Sequence, residues 1–240
     1  MDAASVSKVH KSFGSNLALR GVSFGLPKRG VVGLLGPNGA GKSTMIRMLA
    51  GVLQPDSGTV LIGGASPSQV HVRSHIGWLP EHNPLPLQRT VKDWVVEACH
   101  SRGGTKKEAF AALDRCDLAL HADRPIHTLS KGWRHLVGLA AALAHQPDVL
   151  ILDEPSTGMD PLRRRWFRTL LRELGAERSV LLSSHLLDEA ERVCDEAILL
   201  SEGSVRGLGP LTHILALAGG GDLDEAFVKA LMPKLSLIHI

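Results

Sequence analysis

The chain has no tyrosine, few aromatic residues of any kind and only three cysteines, Cys99, Cys116 and Cys194. This odd, scattered set has no Cys-x-x-Cys spacing, which excludes a disulfide framework and a thiolate zinc site and leaves three reduced packing residues. Long apolar runs are missing too: the stretches 149–152 and 136–143 fall far short of the ~20 residues needed to cross a bilayer, so this chain is not expected to form a pore. Met1-Asp2-Ala3-Ala4-Ser5 lacks the basic and apolar regions of a secretory leader, and a cytoplasmic address is expected. No charge of one sign dominates. The 27 Lys and Arg are interleaved with 24 Asp and Glu, so no nucleic-acid partner is expected. What remains is the composition of an ordinary globular protein of 240 residues, large enough for one substantial core or one domain with a subdomain.

Along the chain, β-like runs at 5–10 and 18–26, separated and ended by Gly and Pro breaks, read as antiparallel sheet. The continuous apolar run 31–35 has the pattern of a strand buried on both faces and stops at the glycines of 36–41. Further strands are expected at 58–63 and 76–79. Helical spacing then takes over at 90–101, 105–116 and 131–145, an α-rich insertion between sheet strands. Strand signals return at 149–152, 179–183 and 197–200, with helices expected at 161–174 and 186–193; this βαβ alternation argues for a parallel sheet. Asp160-Pro161 is a helix start, and Gly175 is expected to stop that helix.

Gly36-Pro37-Asn38-Gly39-Ala40-Gly41-Lys42-Ser43-Thr44 satisfies the phosphate-loop pattern, with the required strand before and helix after. In such a loop backbone N–H groups and the helix N-terminus cradle phosphate, Lys42 supplies charge to the outer phosphates and Ser43 a hydroxyl to Mg²⁺. The run 149–152 ends in Asp153-Glu154, two carboxylates at the end of a buried strand, where α/β sheets place ligands. Asp153 is suited to the magnesium shell and Glu154 to polarising a water for attack on the terminal phosphate.

Taken with Pro155, these motifs resemble the ATP-binding cassette (ABC) ATPases, a resemblance running from about residue 6 to 209. It implies an α/β P-loop NTPase of ABC type, with a mixed parallel core sheet, an N-terminal antiparallel β subdomain and an α-helical subdomain at about 85–145, in a domain of 1–215. Leu129-Ser130-Lys131-Gly132-Trp133 stands where the family carries its signature, and Ser130 and Gly132 match it. In the family this segment faces the γ-phosphate held by the opposite subunit. Lys131 and Trp133 depart from the commonest form and resemble a variant of some bacterial export-type members. Thr157-Gly158-Met159-Asp160 matches the loop that crosses the dimer interface, and His185 falls at the switch histidine that contacts the γ-phosphate. Phe13 occupies the place of the aromatic ring that stacks on adenine, and Glu81 that of a glutamine near Mg²⁺ and the water.

The resemblance further implies MgATP hydrolysed between two such subunits, with a loop near 81–87 and the α-rich insertion passing motion to a separate integral membrane permease at the inner face of the membrane. Export is favoured over import by Ser130-Lys131-Gly132-Trp133 and Pro80-Glu81. The rival is an ABC ATPase acting on ribosomes or nucleic acid, but tandem cassettes, a long coiled coil or a basic arm are not visible. His71 and His75 have helical zinc-ligand spacing without a third ligand and read as a solvated pair. Arg163, Arg164, Arg165, Arg168 and Arg172 read as the basic solvent face of an amphipathic helix. Residues 223–231 are expected to begin a C-terminal extension, within 216–234. The last six, Leu235-Ser236-Leu237-Ile238-His239-Ile240, are the translation of a transposon end, CTG TCT CTT ATA CAC ATC, and are expected to be non-native.

Overall fold

The computed structural model describes residues 2–185 and 187–217, together with Asp222, Leu223, Glu225 and Val228. The proposed extension at 216–234 therefore lies largely, and the tail at 235–240 wholly, outside the described residues.

Two sheets organise the molecule. Strands β1 (Ala4–Phe13), β2 (Asn16–Leu26) and β4 (Ser57–Ile62) form an antiparallel sheet in the order β2-β1-β4. The second sheet holds β3 (Gly30–Leu35), β5 (Ile76–Leu79), β6 (Val149–Asp153), β7 (Ser179–Ser184), β8 (Glu196–Ser201) and β9 (Ser204–Pro210). Its order is β5-β6-β7-β3-β8-β9, parallel except for β9, which folds back antiparallel to β8.

The continuous apolar runs are explained by this sheet being covered on both faces. Side chains alternate across a strand, so Val31 and Leu35 of β3 join one core while Val32 and Leu34 join the other. In β6, Leu150 and Leu152 face the first core and Val149 and Ile151 the second. The second core is closed by the three-stranded sheet and by helix α1 (Lys42–Leu49), which buries Met45, Ile46, Met48 and Leu49.

The first core is covered by α2 (Val91–His100), α3 (Lys106–Arg115), α4 (Lys131–Leu143) and α5 (Pro161–Glu177). Each starts at an oxygen side chain that accepts an N–H otherwise left without a partner in the first turn. These caps are Thr90, Thr105 with Glu108 in a reciprocal capping box, Ser130, and Asp160 ahead of Pro161. Short helices α6 (Leu187–Glu191) and α7 (Leu211–Leu217) follow β7 and β9. Among the described residues no helix is long and apolar enough to cross a membrane.

Several expectations need correction. Helix α5 does not stop at Gly175 but runs to Glu177. The glycine serves packing instead: a Cβ there would lie 2.6 Å from Val31 Cγ2, so its absence lets α5 approach β3. The helix expected at 186–193 is confined to α6, and strand β9 carried no expectation because its pattern 204–210 is broken by two glycines. His71 and His75 lie on a 3-10 turn, and His75 Nδ1 pairs with Asp148 at 2.6 Å. The arginines of α5 are not simply solvated: Arg163, Arg164 and Arg172 have defined partners on other segments.

Candidate active site

Neighbouring strands β6, β7 and β3 bring their carboxyl ends together, and each feeds one functional segment into the crevice beyond them. From β3 comes the phosphate loop, from β6 Asp153 and Glu154, and from β7 Ser183, Ser184 and His185. The crevice is a cavity of about 730 Å³, lined by the loop from Asn38 to Thr44 and by Phe13, Glu81, Glu154 and His185. That volume suits a nucleotide-sized ligand.

The loop enters α1 through Gly41, whose φ of 104° lies in the region that favours glycine. A Cβ there would also sit 2.7 Å from the Ala18 carbonyl oxygen, so β2 and the loop touch because residue 41 has no side chain. Lys42 is buried, its Nζ donating to the carbonyl oxygens of Gly36 at 2.6 Å and Pro37 at 3.2 Å. Burial lowers its pKa, while the charges of Glu154, Asp153 and Glu81 work in the opposite direction. The ammonium is thus poised inside an anionic cluster.

Asp153 is buried, and its Oδ1 accepts a hydrogen bond of 2.6 Å from Ser183 Oγ. Burial pushes its pKa up; the Ser183 hydrogen bond opposes that shift, and Glu81 adds to it. Glu154 holds a φ of 50°, unusual for a residue with a side chain, and its N–H donates to Ser183 Oγ at 3.0 Å. Its Oε2 lies 2.8 Å from His185 Nδ1. Burial raises the Glu154 pKa above the ordinary carboxylate range, with His185 the main opposing influence. One hydroxyl, Ser183, therefore braces the Asp153 carboxylate and the Glu154 backbone together.

The sequence-predicted residues divide into two groups. Phe13, 49% exposed, lines the cavity with an apolar side chain, while Gly36 and Pro37 underlie the loop as acceptors of Lys42. Asn38, Gly39, Ala40, Gly41, Lys42, Ser43, Thr44, Glu81, Glu154 and His185 all face the same cavity, and Asp153 stands directly behind it. Ser130 and Gly132 do not line it; they lie at the N-terminus of α4, where Ser130 Oγ accepts from the Trp133 N–H at 3.5 Å. Asn16, Arg20, Glu202 and Gly203 line the cavity without having been anticipated. No motif marks them. The turn Glu202-Gly203 between β8 and β9 is fastened to the loop, Gly203 N–H donating to Ala40 O at 3.1 Å and Arg20 N–H to Gly203 O at 2.8 Å.

Among the described residues no group of three or more His, Cys, Asp or Glu side chains can hold a metal by itself. Mg²⁺ is usually held by one or two side-chain oxygens while phosphates and waters complete its shell. Ser43 and Asp153, with Glu81 nearby, supply only hard oxygen donors beside the phosphate loop, and the donor set fits this ion.

Comparison with known proteins adds to the geometry. Residues 19–157 match the family described as ABC transporter. The Nod factor export ATP-binding protein I of Burkholderia lata is 39% identical over 226 residues, covering 91% of this chain and 74% of that protein. The linearmycin resistance ATP-binding protein of Bacillus subtilis is 31% identical over 247 residues, covering 97% of this chain and 78% of the relative. A solved structure described as the ATP binding subunit of an ABC transporter superposes with a TM-score of 0.87 at 29% identity, covering 95% of this chain and 99% of that one.

Proposed function

Because the chain belongs to the ABC transporter family, of which it is an ATP-binding and hydrolysing subunit, we propose that it powers export through a separate membrane permease by hydrolysing MgATP between two such subunits. The observation that carries the site assignment is the Glu154–His185 pair, 2.8 Å apart, facing the same cavity as Lys42 and the phosphate loop.

In this reading the ATP-binding domain spans 1–215, with its helical subdomain at about 85–145. Phe13 offers a π face to adenine, the backbone from Gly36 to Thr44 binds the phosphates, and Lys42 moves its ammonium from the Gly36 and Pro37 carbonyls to the outer phosphates. Ser43 and Asp153, with Glu81 beside them, would hold Mg²⁺, which when bound neutralises charge on the phosphoryl oxygens. Glu154 accepts a proton from the attacking water, and its raised pKa makes it a better base than an ordinary carboxylate. His185 orients Glu154 and the γ-phosphate. Ser130 and Gly132, which do not line the cavity of their own chain, would face the nucleotide of a second subunit. The names of the two curated relatives, one an export protein and one a resistance protein, support export. The place of work is then the inner face of the membrane, held there by the permease.

The test is the mass in solution of the Glu154→Gln chain with and without ATP, with Lys42→Ala in the same background as control. An ATP-dependent shift to dimer, absent in the control, is expected. A Glu154→Gln chain that binds ATP and stays monomeric would remove the shared-site assignment for the chain by itself.

A further inference from the structure

The first turn of α5 carries two consecutive arginines that leave the helix in different directions, because neighbouring residues on an α-helix are separated by about 100°. Arg163 reaches α4: its guanidinium carbon lies 4.0 Å from the centre of the Trp133 ring. That ring also meets His121 in an edge-on arrangement, with centroids 4.2 Å apart and planes inclined at 67°. Arg163 Nη1 is buried without a hydrogen-bond partner, and it sits 3.5 Å from where a side chain on Gly132 would begin. The Trp133 face is therefore a principal hold on this guanidinium, together with its distant Asp160 neighbour at 3.9 Å.

Arg164 reaches a different helix. Its Nε donates to Met159 O at 3.0 Å, and its Nη1 lies 3.3 Å from Glu189 Oε1 on α6. The second oxygen of Glu189 accepts a short hydrogen bond from Ser156 Oγ. Ser156 is two residues beyond Glu154, and α6 begins two residues beyond His185. The turn itself is fixed by Asp160 Oδ1, which accepts from Arg163 N–H at 2.9 Å. A continuous set of contacts thus runs from Trp133, three residues past Ser130, through the α5 turn to the segments that hold both Glu154 and His185.

We propose that Arg163 is a positioning residue which, through Trp133, couples the Ser130 end of α4 to the Glu154–His185 pair. Trp133 departs from the commonest signature, and in this chain it supplies the aromatic face that the arginine needs. The inference rests on Glu154 being the base and on Ser130 facing the second subunit. Its content is mechanical: displacement of α4 on closure is delivered to the two residues that handle the attacking water.

The experiment is steady-state ATP turnover of the full chain as Trp133→Ala, Arg163→Ala and the double variant, with amide exchange over α6. Each single change is expected to lower kcat about tenfold with KM for ATP within about twofold, and the double to fall no further than the worse single, as for residues acting as a unit. Trp133→Phe and Arg163→Lys, which keep ring and cation, should retain most of kcat. Exchange in α6 should rise although the Trp133 substitution lies on α4. Losses that multiply in the double variant, a rise in KM at unchanged kcat, or faster exchange only around 121–133 would each overturn the coupling. Glu154→Gln separates the two layers of argument. If it is inert while Arg163→Ala turns over normally, only the coupling is lost; if it turns over like wild type, the base assignment falls and the coupling with it.

Discussion

The half of the molecule that holds the phosphate loop and the half that carries Ser130 are built on different principles. In the first, Lys42, Asp153, Glu154 and His185 come from adjacent strand ends whose hydrogen-bond ladder fixes their spacing, and Ser183 bridges two of them. In the second, Ser130 and Gly132 sit at the start of one helix, α4, which is held by side-chain packing, with Leu136, Val137, Leu139 and Ala140 buried in the first core and Arg163 on Trp133. A ladder fixes spacing residue by residue, whereas helices packed through their side chains can slide as bodies by small amounts. The contrast is between chemistry set on a hydrogen-bonded sheet and a segment, Ser130 to Trp133, set at the start of a helix packed through its side chains.

The sharpest way to break that contrast is Glu154→Gln, expected to lower single-turnover hydrolysis by ~10² to 10⁴ while ATP affinity stays within a few-fold. Retained turnover would place the base elsewhere. Lys42→Ala comes next: loss of a charge-assisted contact worth about 1.5–3 kcal/mol should weaken ATP binding by up to roughly 100-fold in equilibrium titration. Ser130→Ala should separate the halves cleanly, lowering kcat about tenfold without changing ATP binding to the monomer, and costing ~1 kcal/mol of stability through the lost cap. An equal effect on monomer binding would mean that Ser130 serves its own cavity.

A smaller effect concerns pH. Glu154 must be ionised to act, and burial raises its pKa above the ordinary 4.5, so the acid limb of the kcat profile should lie above that value. His185 opposes the shift; His185→Ala should therefore move the limb to still higher pH, and a limb that moves down would contradict the pairing. The smallest effect expected is at Arg115 on α3, which holds Glu177 through two hydrogen bonds of 2.7 and 2.6 Å. These hydrogen bonds lower the Glu177 pKa to about 2. Because the folded value is depressed, the contribution to stability is complete above the unfolded carboxylate value and is lost as pH falls toward about 2. The pair is largely solvent-screened, so Arg115→Ala should cost less than about 1 kcal/mol in denaturant melts at neutral pH and nothing at the acid end.

Much of the phosphate-loop half was legible in the sequence because burial on both faces leaves a continuous apolar run and a phosphate loop requires glycine at fixed places. The strands at 31–35, 149–152 and 179–183 follow from that rule. Asp160 ahead of Pro161 was readable as a helix start, since an oxygen side chain followed by proline matches the first-turn pattern. Three kinds of feature were not legible. Strand β9 pairs at an edge where glycine interrupts the pattern, and Gly175 carries a close approach between elements that no local spacing encodes. The partners of Arg163 and Arg164 depend on which helices are neighbours, which is a tertiary fact. Arg20 and the Glu202-Gly203 turn reach the cavity only because β2 and the β8–β9 hairpin fold against the loop.

The backbone at Glu154 has one further consequence. With φ at 50° the position favours glycine, and a residue with a side chain there costs of order 1 kcal/mol or more. Glycine would relieve that cost but would remove the carboxylate with it, so backbone comfort and the Glu154–His185 pair pull in opposite directions at this one position.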